Sequence, residues 1–137
     1  MTDQALTELG AYVANELGDD ILTAEVRLGE LTLTVRRESI VNVLTFLRDD
    51  TRCLFRELMD VCGVDWPSKE ERLEVVYNLL SLTHNRRVRV KLSTRDGIPV
   101  PSATGVHSGA GWFERETWDM FGVLFAGHSD LRRILTD

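Results

Sequence analysis

Residues 87–94 read RVRVKLST, the most readable strand of the chain. Val88, Val90 and Leu92 alternate with Arg87, Arg89 and Lys91, the period of two that sends every second side chain to the same side of a pleated strand. One face is apolar and the other cationic, as in an antiparallel sheet with one side in water. Residues 58–66 and 73–82 are also strand-like, rich in branched and aromatic side chains and bounded by Pro, Asn, Asp or Gly. Further upstream, Ala24, Val26 and Leu28 alternate with Glu25 and Arg27. Gly29-Glu30 reads as a two-residue turn, and Leu31, Leu33 and Val35 bring the chain back as a hairpin. Leu6, Leu9, Val13 and Leu17 fall on one helical stripe between Asp3 and Gly18. Ile40, Val43, Leu44 and Leu47 form a second stripe behind Ser39, a candidate N-cap. The order over residues 1–95 predicts an α+β fold: an α-β-β-α-β-β-β core with a mainly antiparallel sheet and helices on one face.

Beyond residue 95 the texture changes. Residues 96–111 hold four Gly and two Pro in sixteen positions, which predicts a travelling loop, with Pro99 and Pro101 keeping Ile98 and Val100 extended. WFERETWDMFG, residues 112–122, reads as a short helix stopped by Gly122. At ~100° per residue, Phe113, Thr117, Met120 and Phe121 share a broad face and Arg115, Glu116 and Asp119 the opposite one. Two residues break the sorting: Trp112 falls among the charges, and Glu114 sits on the flank of the apolar arc. A carboxylate against aromatic rings needs a partner, so an arginine is expected near Glu114, with Arg132 and Arg133 as the nearest supply. Residues 96–137 are thus expected to form an irregular arm carrying a short helix.

Composition narrows the functional classes. The 137 residues suffice for one compact domain that buries roughly two-thirds of its unfolded surface. The net charge of −6 disfavours unspecific attraction to nucleic acid or an anionic membrane. Of 16 cations only Lys69 and Lys91 are lysines, a bias that is either genomic or a sign of bidentate interface chemistry. Cys53 and Cys62 cannot supply four cluster thiolates, and buried reduced thiols are the expectation for both. The first twenty residues carry five acids and no base, unlike an export signal, and there is no run of 18 apolar residues to span a membrane.

Several chemistries are open to the charged segment. Glu114, Glu116 and Asp119 have the functional groups for acid–base work, with His107 or His128 as shuttle, but no serine elbow and no Cys–His pair supplies a nucleophile. The same residues lack the close His spacing of zinc motifs. A carboxylate–arginine lattice locking this segment to the domain or to a partner fits the arginine excess better. His84, in a turn, is expected to be exposed. Arg87, Arg89 and Lys91 lack the interleaved aromatics of single-strand binders, so nucleic acid is not an expected partner. Gly109-Ala110-Gly111 lacks a phosphate-loop lysine and reads as a flexible bend.

Residues 114–122, ERETWDMFG, followed by Phe125, Gly127-His128 and Asp130-Leu131-Arg132-Arg133-Ile134-Leu135, closely resemble the signature of the C subunit of respiratory NADH:quinone oxidoreductase, the thirty-kilodalton subunit of complex I. The likeness extends back through Val61-Cys62-Gly63-Val64-Asp65-Trp66, through residues 75–82 and through Pro99-Val100-Pro101-Ser102. It implies a peripheral-arm subunit of a proton-pumping translocase, on the cytoplasmic side of a bacterial inner membrane and peripheral to it through the complex. It implies no cofactor in this chain, although the parent complex uses FMN, iron–sulfur clusters and quinone. The implied partner is the forty-nine-kilodalton D subunit, near the quinone module. The implied docking and ion-pairing residues are Trp112, Glu114, Arg115, Glu116, Asp119, His128, Asp130, Arg132 and Arg133, none of them catalytic. The equivalent subunit of a related membrane-bound hydrogenase, F420H2 dehydrogenase or plastid-type complex is the nearest alternative, and a small acid–base enzyme using Glu116 and Asp119 a distant one. Where family members carry Gly-His-Pro-Asp this chain has Ser129, so a looser turn is expected. The family chain also runs on past this point, so a piece ending at the edge of the folded region, or a tail-less variant, is expected.

Overall fold

The computed structural model describes residues 3–127. Its elements are α1 (Asp3–Leu17), β1 (Ile21–Arg27), β2 (Glu30–Val35), α2 (Ile40–Asp49), β3 (Glu57–Asp65), β4 (Leu73–Ser81), β5 (Arg86–Thr94), β6 (Val100–Pro101), α3 (Ala110–Phe121) and β7 (Phe125–Ala126). This is the expected α+β order; β1 begins three residues before its alternating stretch, and the other long strands lie within a residue or two of the sequence reading.

The five long strands form one sheet in the order β1-β2-β5-β4-β3. Every pairing is antiparallel except β2 with β5, because the chain leaves β2 through α2 and returns to lie beside it. Register explains the core. Leu33, Val90, Tyr77 and Val61 stand opposite one another across four strands, and the next rungs place Leu31, Val88 and Leu79 side by side. With a side-chain period of two, all of these point to one face and all are buried. Leu6, Leu9 and Val13 of α1 and Ile40, Val43, Leu44 and Leu47 of α2 close over that face as one cluster. Gly10 permits the approach of α1, since a Cβ there would stand 2.9 Å from Leu31 Cδ1. The cluster also takes in Val100, Ala103, Ala110, Val123 and Phe125 from the chain beyond β5.

Several local expectations need correction. The hairpin turn is Leu28-Gly29, not Gly29-Glu30, and Arg27 pairs with Glu30. Both turn residues have positive φ, 53° and 77°, as a right-twisting two-residue hairpin requires, so Leu28 leaves the alternation and is 98% exposed. Ser39 precedes α2 without capping it: its hydroxyl donates to Asp20 Oδ1 at 2.8 Å, while Asn42 Nδ2 donates to Asp20 Oδ2 at 2.7 Å. The Asp20 carboxylate thus supplies negative charge at the helix N-terminus in place of a cap. His84 is half-buried, with Nε2 2.9 Å from the Thr51 carbonyl, because the β4–β5 turn folds back onto the loop after α2. Cys53 is buried as expected, but Cys62 is exposed, since it falls on the opposite side of edge strand β3 from Val61.

Candidate functional site

The charged segment forms α3, which packs against β3. The strap before it is extended as expected, and Val100-Pro101 gains a parallel pairing with Phe125-Ala126 on the far side of the helix. Val100 N–H donates to Leu124 O and Ser102 N–H to Ala126 O, each at 2.8 Å, so both flanks of α3 are tied together. The helix ends at Gly122, whose φ of 75° is the left-handed conformation that terminates helices, and its N–H donates to Trp118 O. Phe121 is seated on Gly63 of β3, and Thr117 Oγ1 donates to Phe113 O at 2.8 Å while lying 3.5 Å from Val61 O.

Glu114 is fully buried. Its Oε1 accepts from Ser102 Oγ and its Oε2 from Ala103 N–H, both at 2.7 Å. These donors belong to the strap, so the carboxylate fastens α3 to the chain that precedes it. Such charge-assisted bonds are the strong ones inside a protein. The requirement for a partner is readable from the amphipathic sorting. The identity of these two partners is not, because one is a backbone amide and the other a serine hydroxyl in a loop. Arg132 and Arg133, the arginines expected near Glu114, lie outside the described residues, as do His128 and Asp130.

Among the described residues, the buried Tyr77 hydroxyl and His107 Nε2 have no hydrogen-bond partner. Burial, and then the Glu114 carboxylate, push the Tyr77 phenol well above its ordinary range. His107, a candidate proton shuttle on sequence grounds, is buried; desolvation first and the Arg48 cation second lower its pKa, so it is held neutral. Arg48 braces the same loop, donating to Val106 O at 3.1 Å while its Nε and a terminal nitrogen grip Asp49 at 2.8 and 3.0 Å.

The outward side of α3 differs. Trp112, Glu116 and Met120 follow one another at intervals of four, and Trp112 and Met120 are 68% and 74% exposed. This corrects the expectation of Met120 on the buried face. It is exposed because α3 turns Thr117, Glu114 and Ala110 inward and lies along an edge strand too narrow to cover both sides of the helix. Arg115 and Asp119 pair at 4.0 Å, both about half exposed, a contact worth little to stability. Glu116 is exposed and makes no ion pair among the described residues. Nor do three or more His, Cys, Asp or Glu side chains gather around a possible metal position among the described residues. The site therefore has an inner carboxylate that locks the helix in place and an outer ridge of aromatic, acidic and thioether side chains.

Comparison with known proteins identifies the family. The family model for the respiratory-chain NADH dehydrogenase 30 Kd subunit matches residues 33–137. The C subunit of NADH-quinone oxidoreductase from Paramagnetospirillum magneticum is 63% identical over 135 residues, a match that covers 98% of this chain and 68% of that protein. Nqo5, solved as a trypsin-resistant fragment, superposes with a TM-score of 0.70 at 25% identity, covering 90% of this chain and 96% of that one. A chain of the membrane-bound sulfane sulfur reductase, an archaeal respiratory membrane complex, superposes with a TM-score of 0.76 at 26% identity over 89% of this chain and 71% of that one. On this match of sequence and fold, the chain belongs to the respiratory-chain NADH dehydrogenase 30 Kd subunit family.

Proposed function

We propose that this chain is a cofactor-free assembly subunit in the peripheral arm of a proton-pumping NADH:quinone oxidoreductase. It works on the cytoplasmic side of a bacterial inner membrane and docks on the forty-nine-kilodalton D subunit. The observation that carries the docking role is the outer ridge of α3, where Trp112 and Met120 stand in solvent on a helix whose inner side is fastened by Glu114. Exposed aromatic and thioether side chains on a rigid element are what protein interfaces use as anchors. Arg115, Glu116 and Asp119 form the polar rim, and His128, Asp130, Arg132 and Arg133, outside the described residues, are further docking residues in this reading. The cofactor-free part of the reading rests on two cysteines being too few for a cluster, and one of them is buried.

The NADH-linked reading is supported by 63% identity to a C subunit of NADH-quinone oxidoreductase. Pull-down of the D subunit by wild type and by Asp119→Ala, Arg132→Ala and Trp112→Ala variants tests the docking role. Capture should weaken in the variants, and undiminished capture by all three overturns the assignment.

A further inference from the structure

Between α3 and edge strand β3 runs a groove of about 340 Å³. Phe113, Met120 and Phe121 give it apolar walls, Cys62 lies in it, and Asp60 and Glu116 stand at its rim. Gly63 lets α3 lie close along the strand, because a side chain there would collide with the Phe121 ring. Trp112 and Met120, 68% and 74% exposed, continue the apolar surface along the helix, a concentration that marks an interaction site. No basic residue lines it among the described residues. Asp60 is held by Asn78 Nδ2 at 2.7 Å, and Arg89 reaches the same Asn78 at 3.4 Å from the open face of the sheet, whereas Glu116 pairs with no cation among the described residues and is the unpaired carboxylate of the groove. The Cys62 thiol reports this field, its pKa raised by desolvation first and then by Asp60 and Glu116.

We infer that this groove receives a segment of a neighbouring subunit that inserts one apolar side chain between Met120 and Phe121 and sets a lysine or arginine between Asp60 and Glu116. An apolar slot with two carboxylates and no base selects that pairing and repels an acidic one. A second copy of this chain is a poor occupant, since its own groove brings the same two carboxylates. The inference rests on the reading of the chain as a subunit of a larger complex, and names the chemistry of one contact within it.

Cys62 allows a direct test, because it is the exposed thiol of the pair and Cys53 is the buried one. Maleimide labelling of Cys62 is followed by mass spectrometry in the purified complex and in the full chain alone, with the silence of Cys53 reporting an intact fold. Reactivity follows access, so labelling should be at least about tenfold slower in the complex than in the free chain. Glu116→Arg and Met120→Asp, both changes at exposed positions, should each lower retention of the chain in the complex by about tenfold or more, since like charges at a contact are strongly unfavourable. Retention of the chain with Cys62 equally reactive in both samples overturns the inference and leaves the subunit reading standing. Protection of Cys62 with wild-type retention of both variants also overturns it, because the cover then comes from the open face of the sheet. A free chain that dimerises and already shields Cys62 assigns the groove to a second copy and overturns it too. Failure of the wild-type chain to co-purify with any complex sinks both readings together.

Discussion

The ring of Phe121 rests on Gly63 so closely that a Cβ built on the glycine would stand 2.5 Å from Phe121 Cδ2. The contact joins the last residue of α3 to the middle of an edge strand, and with Glu114 it sets where the outer ridge of the helix points. Gly63→Ala should therefore displace α3 and cost about 1–3 kcal/mol, the usual penalty of overpacking. Urea denaturation measures it. Adding Phe121→Leu should recover part of the loss, whereas a fully stable Gly63→Ala variant means that the helix is not seated on this strand.

Glu114 fastens the other end of α3. Glu114→Gln keeps one acceptor for Ala103 N–H and can turn its amide toward Ser102, so its cost should be small. Glu114→Leu fills similar space but strands the buried Ala103 N–H, an unsatisfied donor that costs about 1–3 kcal/mol. The expected stability order by thermal or chemical unfolding is wild type, then Gln, then Leu. A Leu variant as stable as wild type denies the carboxylate its fastening role.

His107 makes stability depend on pH. Its folded pKa is lowered by burial, so the unfolded chain binds a proton that the folded chain refuses. That contribution is fully favourable above the ordinary histidine value of about 6.5 and is lost as pH falls below it toward the folded pKa, with a slope of up to about 1.4 kcal/mol per pH unit. Unfolding free energies measured across this window should fall with acidity in wild type and fall less steeply in His107→Phe. Identical slopes would show that His107 takes up its proton equally easily in both states.

Much of the fold is legible because its signals are periodic. Val88, Val90 and Leu92 announce the central strand, and Ile40, Val43, Leu44 and Leu47 announce α2, since burial repeats at the element's own period. Leu28 continues an alternation into a turn where backbone handedness governs, and an exposed leucine with positive φ does not look different in sequence from a buried one. Met120 misleads because it lies where the sheet ends, and periodicity says which side a residue faces but not whether anything is there to cover it; Cys62 misleads because the usual burial of free cysteine yields to strand alternation, which turns it away from Val61. Ser102 and Ala103 as donors to Glu114, and the pairing of Val100-Pro101 with Phe125-Ala126, depend on contacts between loops and leave no local trace.

In the docking role proposed for the outer ridge of α3, Trp112 anchors the D subunit, and its exposed side chain is not needed for folding. Calorimetric titration of the D subunit with wild type and Trp112→Ala, checked for equal circular dichroism, gives the answer. An anchoring aromatic should cost about 2 kcal/mol on truncation, an affinity loss of roughly 30-fold. Unchanged affinity in a folded Trp112→Ala chain would contradict the docking role assigned to this ridge.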